Sequence, residues 1–98
     1  MISDQIKACL NQEFQPFFIN VVDDSARHHG HLGAQPGGST HFRVTVVSKV
    51  FKNLSLVKRH QAVYHALQSF FKEGVHALQL ELWTVEEWHG QAKNQTPL

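Results

Sequence analysis

His41-Phe42-Arg43-Val44-Thr45-Val46-Val47-Ser48 (HFRVTVVS) is the stretch on which the fold turns. Phe42, Val44 and Val46 alternate with Arg43 and Thr45, the period of a strand with one buried and one solvated face. Upstream, Phe17 to Val22 (FFINVV) is equally dense in aromatic and β-branched residues, and Asp23-Asp24-Ser25 closes it. Between the two runs lie residues 25–40, SARHHGHLGAQPGGST, with four glycines, one proline and no helical pattern. Two strands joined without a crossover helix are expected to pair antiparallel. A connection this long inside a small domain is more often functional than incidental.

Working outward, Ile2, Ile6, Cys9 and Leu10 recur on one face of a first helix, with Ser3 as its cap and Asp4 in its first turn, ended by Pro16. Cys9 falls on that stripe and reads as a small core residue. Downstream, Ser55 caps a long second helix whose buried stripe is Leu56, Val63, Leu67, Phe70 and Phe71, stopped by Gly74. Lys58 and Arg59 fall off that stripe, near the helix start. VHALQLELW (75–83) follows as a third strand, with His76, Leu78, Leu80 and Leu82 on one face and Gln79 and Glu81 on the other. Thr84-Val85-Glu86-Glu87 is a capping box, with Trp83 and Trp88 at the positions of a hydrophobic staple, so a third helix starts at Val85. From Gln91 the chain is polar and expected to fray. The order is α-β-β-α-β-α: one α+β (α/β) domain over residues 1–90, followed by a polar, disordered tail over 91–98.

At 98 residues, 42% hydrophobic and 17% charged, the chain has material for one modest core and no second domain. Its apolar runs are too short to span a membrane, its N-terminus lacks a signal-peptide pattern, and its single cysteine cannot form an internal disulfide. A soluble protein of a reducing cytoplasm is expected. The net charge of +1 conceals a strong asymmetry. Residues 25–72 carry seven basic and no acidic side chains, for +7, while residues 1–24 and 73–98 each balance to −3. Such a field suits an anionic partner, either nucleic acid or an acidic protein surface. Equally, interleaving of the three segments on folding would neutralise it internally.

These elements carry sequences that resemble the BolA family from about residue 3 to residue 89. HFRVTVVSKVF (41–51) resembles the family's HF-x-V-x-V-V-S-x-x-F, and RHQAVY (59–64) its RH-x-x-V-Y/N. VHAL (75–78) is similar to its third-strand entry, and TVEEW (84–88) to its closing T-x-E-E-W. One position departs: where family members usually carry glycine, two residues after the strand-end phenylalanine, this chain has Asn53. Asparagine tolerates the left-handed region better than other non-glycine residues, so the turn is expected to survive.

The resemblance implies a three-stranded mixed sheet flanked by helices, similar to the type II KH fold. It also implies two activities. One is pairing with a monothiol glutaredoxin to share a [2Fe-2S] cluster that the partner's thiolates bridge, with no cofactor in the isolated chain. The other is binding of double-stranded DNA in transcriptional control of stress response and cell morphology.

Read from the residues alone, His76 is more readily a satisfied core histidine than a ligand. The resemblance reverses this, because the family's cluster-ligating histidine matches His76. Imidazole in place of thiolate on one iron is sound chemistry, as Rieske centres illustrate. The second ligand implied by the resemblance comes from the loop, where His28 matches and His31 stands next in line. Taken alone, the spacing of His28 and His31 is more commonly that of solvated loop histidines. Gly30-His31-Leu32-Gly33 has the GxxG spacing of a KH clamp, but it joins strands rather than helices and is set aside.

For nucleic acid, Lys52, Lys58, Arg59 and His60 surround the start of the second helix, where free N–H groups and the dipole welcome phosphate. The same residues also describe an ordinary solvated cationic face. No nucleophile motif, phosphate loop or paired carboxylate is recognisable, so the expected role is binding rather than catalysis, by a chain that is monomeric in isolation.

Overall fold

The computed structural model describes residues 2–24 and 41–94. Helix α1 (Ile2–Phe14) leads into strand β1 (Phe18–Asp23), and β2 (His41–Val47) runs into a short 3-10 turn, Lys49–Phe51. Helices α2 (Leu56–Ala66) and α3 (Gln68–Lys72), strand β3 (Ala77–Trp83) and helix α4 (Val85–Asn94) complete the chain. The sheet order is β1-β2-β3, antiparallel between β1 and β2 and parallel between β2 and β3. This is the mixed three-stranded α+β architecture expected from the sequence.

Cross-strand register sorts the side chains. Ile19, Val46 and Leu82 share one row, and Val21, Val44 and Leu80 the next, all facing the helices. Against them pack Ile6, Leu10 and Phe14 of α1 with Val63, Leu67 and Phe51 to make the core. Cys9 packs at its margin, its thiol 3.4 Å from the Ala66 carbonyl, as its place on the apolar stripe predicts. On the opposite face, Asn20, Arg43, Gln79 and Glu81 meet solvent. One end of that face is covered: Trp88 of α4 stacks on Phe18, with ring centroids 5.4 Å apart, and meets Trp83 edge-on at 6.0 Å. The staple read from the sequence is therefore formed.

Ser48 supplies a tie that sequence patterning does not announce. Fully buried, it donates from Oγ to the carbonyl of Phe14 at 2.7 Å and accepts from the Val50 N–H. It thereby satisfies one of the orphan carbonyls at the end of α1 and locks β2 to that helix.

Two details depart from expectation. The long second helix divides at Leu67 (φ −101°, ψ 11°) into α2 and α3, though Gly74 (φ +112°) does end the helical stretch. Nothing lies within 4 Å of a Cβ built at Gly74, so conformation rather than space calls for glycine there. The buried line of α2 and its end is Arg59, Val63, Leu67, while Leu56 is 63% exposed. As the first residue of α2, Leu56 borders an open cleft beside Leu80 and Trp83. Helix α4 runs from Val85 to Asn94. Asn53 adopts φ 68°, so the left-handed turn survives without glycine.

Candidate functional site

His76 stands one residue ahead of β3 and is exposed; Val75, 2% exposed, takes the buried position beside it. Strand alternation would have turned His76 inward with the leucines, but the ladder starts only at Ala77, so the side chain is released to the surface. The register pairs His41 with Ala77, which brings the His41 ring to 6.5 Å from that of His76, inclined at 69°. The Asp24 N–H donates to the His41 carbonyl at 2.8 Å, so residues 25–40 leave and rejoin the sheet at this same end. His28 and His31, the expected loop ligands, lie outside the described residues, as does His29. Among the described residues, no three His, Cys, Asp or Glu side chains are gathered closely enough to hold a metal ion. For a cluster shared between two proteins, a ligand has to reach the surface. His76 meets that requirement, and imidazole is an accepted donor to cluster iron.

The second candidate site lies at the start of α2. Ser55 caps the helix, its Oγ accepting from the Lys58 N–H at 3.2 Å. Lys52 and Lys58 are exposed. His60 is half-buried, with Nδ1 2.7 Å from the Leu56 carbonyl. Arg59 does not stand on this solvated face, contrary to the reading that placed it off the buried stripe. It is 6% exposed, and its Nε donates to the Leu54 carbonyl at 3.0 Å. Its Nη1 donates to the Leu82 carbonyl at 3.1 Å and to Glu87 Oε1 at 2.7 Å, and its Nη2 to Glu87 Oε2 at 2.9 Å. A buried guanidinium persists only where its charge and donors are met, and here α4 supplies the carboxylate. The hydrogen bond from Arg59 holds the Glu87 carboxyl below its ordinary value, reinforced by the Thr84 N–H and opposed by burial.

The field is therefore partly neutralised within the fold, by Arg59 with Glu87 and by Arg43 with Asp24 at 3.7 Å. The sequence carried one sign of Arg59's burial: it sits four residues before Val63 and eight before Leu67, on the helical stripe itself. Beside it, a cleft of about 420 Å³ opens between Leu56, His60, Leu80 and Trp83. No helix among the described residues is long and apolar enough to cross a membrane.

Residues 10–87 match the family described as BolA-like protein. The chain is 38% identical over 95 residues to the DNA-binding transcriptional regulator BolA of Haemophilus influenzae, covering 97% of this chain and 86% of that one. It is also 38% identical over 90 residues to the protein of the same description in Escherichia coli, covering 92% and 82%. Among solved structures, the BolA domain of SufE1 from Arabidopsis thaliana superposes with a TM-score of 0.79 at 38% identity, covering 88% of this chain and 94% of that one. With its motifs in place on a shared fold, the chain belongs to the BolA-like family.

Proposed function

We propose that the chain acts as a binding partner of a monothiol glutaredoxin, the two proteins sharing a [2Fe-2S] cluster in iron–sulfur trafficking or iron and redox signalling in the cytoplasm. The observation that carries this reading is the exposed His76 at the end of the sheet where residues 25–40 depart and return. His76 would hold one iron, with His28, or His31 next in line, as the second imidazole from the loop. When bound, the cluster supplies one-electron redox chemistry and a transferable iron–sulfur unit. The chain's own part is to present imidazole at a solvent-facing edge, which lets a partner's thiolates reach the same group. Anaerobic co-purification with a monothiol glutaredoxin, followed by visible absorption, tests this. A cluster spectrum that requires both proteins supports it, and its absence from the mixture overturns it.

A second reading is DNA binding in transcriptional control. It is favoured by the description of the relatives from Haemophilus influenzae and Escherichia coli, together with Lys52 and Lys58 exposed around the start of α2. On this reading phosphate contacts fall to the two lysines and His60, because the Arg59 guanidinium is already engaged by Glu87.

A further inference from the structure

We propose that the free edge of β3, around Leu80, docks an extended peptide segment of a partner protein that carries an apolar residue between two basic ones. With the order β1-β2-β3, β3 pairs on one side only. The Trp83 carbonyl accepts the Ser48 N–H at 2.9 Å, so Gln79, Glu81 and Trp83 turn their backbone groups towards β2. The alternate residues Leu78, Leu80 and Leu82 turn theirs outward. Two of those outward carbonyls already face donors on α2: the Tyr64 hydroxyl stands 3.5 Å from that of Leu78, and Arg59 Nη1 donates to that of Leu82 at 3.1 Å. Between them, the Leu80 N–H and C=O have no protein partner among the described residues. An outward-facing ladder residue of this kind is a template for one more strand.

The cleft of about 420 Å³ lies along this edge, with Leu80 and Leu82 on one side and Leu56 and His60 of α2 on the other. Leu56 is 63% exposed and Leu80 is half-buried, so both offer apolar surface that an occupant would cover. Strand alternation then specifies the occupant. A residue opposite Leu80 in an antiparallel pair exchanges both hydrogen bonds with it and turns its side chain to the same face, towards Leu56. Its two neighbours turn to the other face, where Glu81 is exposed beside Gln79. A lysine or arginine at that place meets the Glu81 carboxylate, the favourable cross-strand pairing of opposite charges. Nucleic acid suits the cleft poorly. The Arg59 guanidinium that borders it is held by Glu87, and the Glu81 carboxylate repels phosphate. The edge around Leu80 uses neither His76 nor residues 25–40, so it stands or falls separately from the function proposed above.

The test titrates acetyl-Thr-Lys-Val-Lys-Thr-amide into the isotope-labelled full chain and follows the backbone amides by NMR. The Leu80 signal should shift and its hydrogen exchange slow, ahead of those of Gln79 and Glu81, whose N–H groups already face β2. Methylating the valine nitrogen of the peptide should weaken binding about fivefold, the scale of one lost hydrogen bond. Methylating a lysine nitrogen, which points away from β3, should not. Leu56→Ser, a change at an exposed position, should weaken binding by at least about threefold. Glu81→Lys should reverse the preference between this peptide and its Thr-Glu-Val-Glu-Thr counterpart. A Leu80 amide that the peptide leaves unmoved, or equal affinity for the two methylated peptides, would overturn the proposal. So would a DNA duplex that moves the Leu80 amide in the peptide's place, or dilution of the protein alone that does so, since the edge would then receive nucleic acid or a second copy of this chain. If the peptide binds as described but no cluster forms with a glutaredoxin, this edge stands and the glutaredoxin reading falls.

Discussion

Arg59 on α2 and Glu87 on α4 meet fork to fork, with Nη1–Oε1 at 2.7 Å and Nη2–Oε2 at 2.9 Å. The same carboxylate also closes the capping box of α4. Its Oε1 accepts the Thr84 N–H at 3.0 Å, while the Glu87 N–H donates to Thr84 Oγ1 at 3.1 Å. One side chain thus starts the last helix and fastens it to the second, while Arg59 reaches on to carbonyls before α2 and within β3. The pair joins three elements at a corner that the apolar core does not cover.

Arg59→Ala should therefore be among the more damaging substitutions. It leaves the Leu54 and Leu82 carbonyls without their side-chain donor and Glu87 without its counter-charge, a loss of about 3 kcal/mol. Arg59→Lys should recover little, since an ammonium cannot reproduce a planar fork. Glu87→Ala should cost less, about 1–2 kcal/mol, because the carboxylate side is 44% exposed and water replaces part of what is lost. Urea unfolding of the three variants checks the order, and equal midpoints for Arg59→Ala and wild type would refute it.

The pair also sets a pH dependence. Arg59's hydrogen bond holds the Glu87 carboxyl below its ordinary value of 4.5 in the folded state. A depressed carboxyl contributes stability that is fully present above the unfolded value and is lost as pH falls through the folded one. The difference in urea midpoint between wild type and Glu87→Gln should accordingly narrow as pH is lowered from about 6 to about 3. A constant gap over that range would mean that the ionised carboxylate is not what the substitution removes.

How far the sequence reached can be judged on these residues. The alternation of HFRVTVVS placed β2 and its buried face, and the Thr84/Glu87 box with Trp83 and Trp88 placed the start of α4. Both are local signals, carried by residues near one another in the chain. Arg59's burial was missed because periodicity weighs only apolar residues, and a buried cation is intelligible only once Glu87 is brought in from another helix. The nearness of His41 to His76 depends on the parallel register of β2 and β3, which no local pattern encodes. Nor does any glycine or proline near Leu67 announce the break between α2 and α3.

Asn53 offers a direct test of the turn before α2. Its φ of 68° lies in the left-handed region, where a Cβ is disfavoured and asparagine is tolerated. Asn53→Gly should be neutral or slightly stabilising, whereas Asn53→Ala should cost about 1 kcal/mol. Thermal unfolding distinguishes them, and an alanine variant as stable as the glycine one would contradict the backbone assignment.

On the proposed cluster function, His76→Ala should shorten cluster lifetime in the glutaredoxin complex while leaving the fold unchanged. An exposed residue ahead of β3 has little packing to lose. His28→Ala should alter the visible spectrum more than His29→Ala, with His31→Ala between them. An unchanged spectrum and lifetime in the His76 variant would remove the assignment, and an effect confined to His31 would move the second ligand there.

DNA binding, if it runs through the start of α2, should be electrostatic and should now exclude Arg59. Lys52 and Lys58 are the exposed cations there, and each phosphate neutralised contributes about −0.9 to the slope of log affinity against log salt. Two such contacts give a slope of roughly −2. Lys58→Ala should weaken binding to unrelated duplexes about equally and flatten the slope by about 1. Arg59→Ala should behave differently. It should lower the unfolding midpoint, yet at temperatures where the variant stays folded it should leave the slope as it is, because its guanidinium faces Glu87 rather than solvent. Labelled duplexes of two unrelated sequences, titrated at several salt concentrations, separate the two substitutions. If Lys58→Ala binds both duplexes like wild type at every salt, this surface is not the DNA site. If instead Arg59→Ala flattens the slope, the Arg59–Glu87 pair must open when DNA binds, and α4 would then move with it.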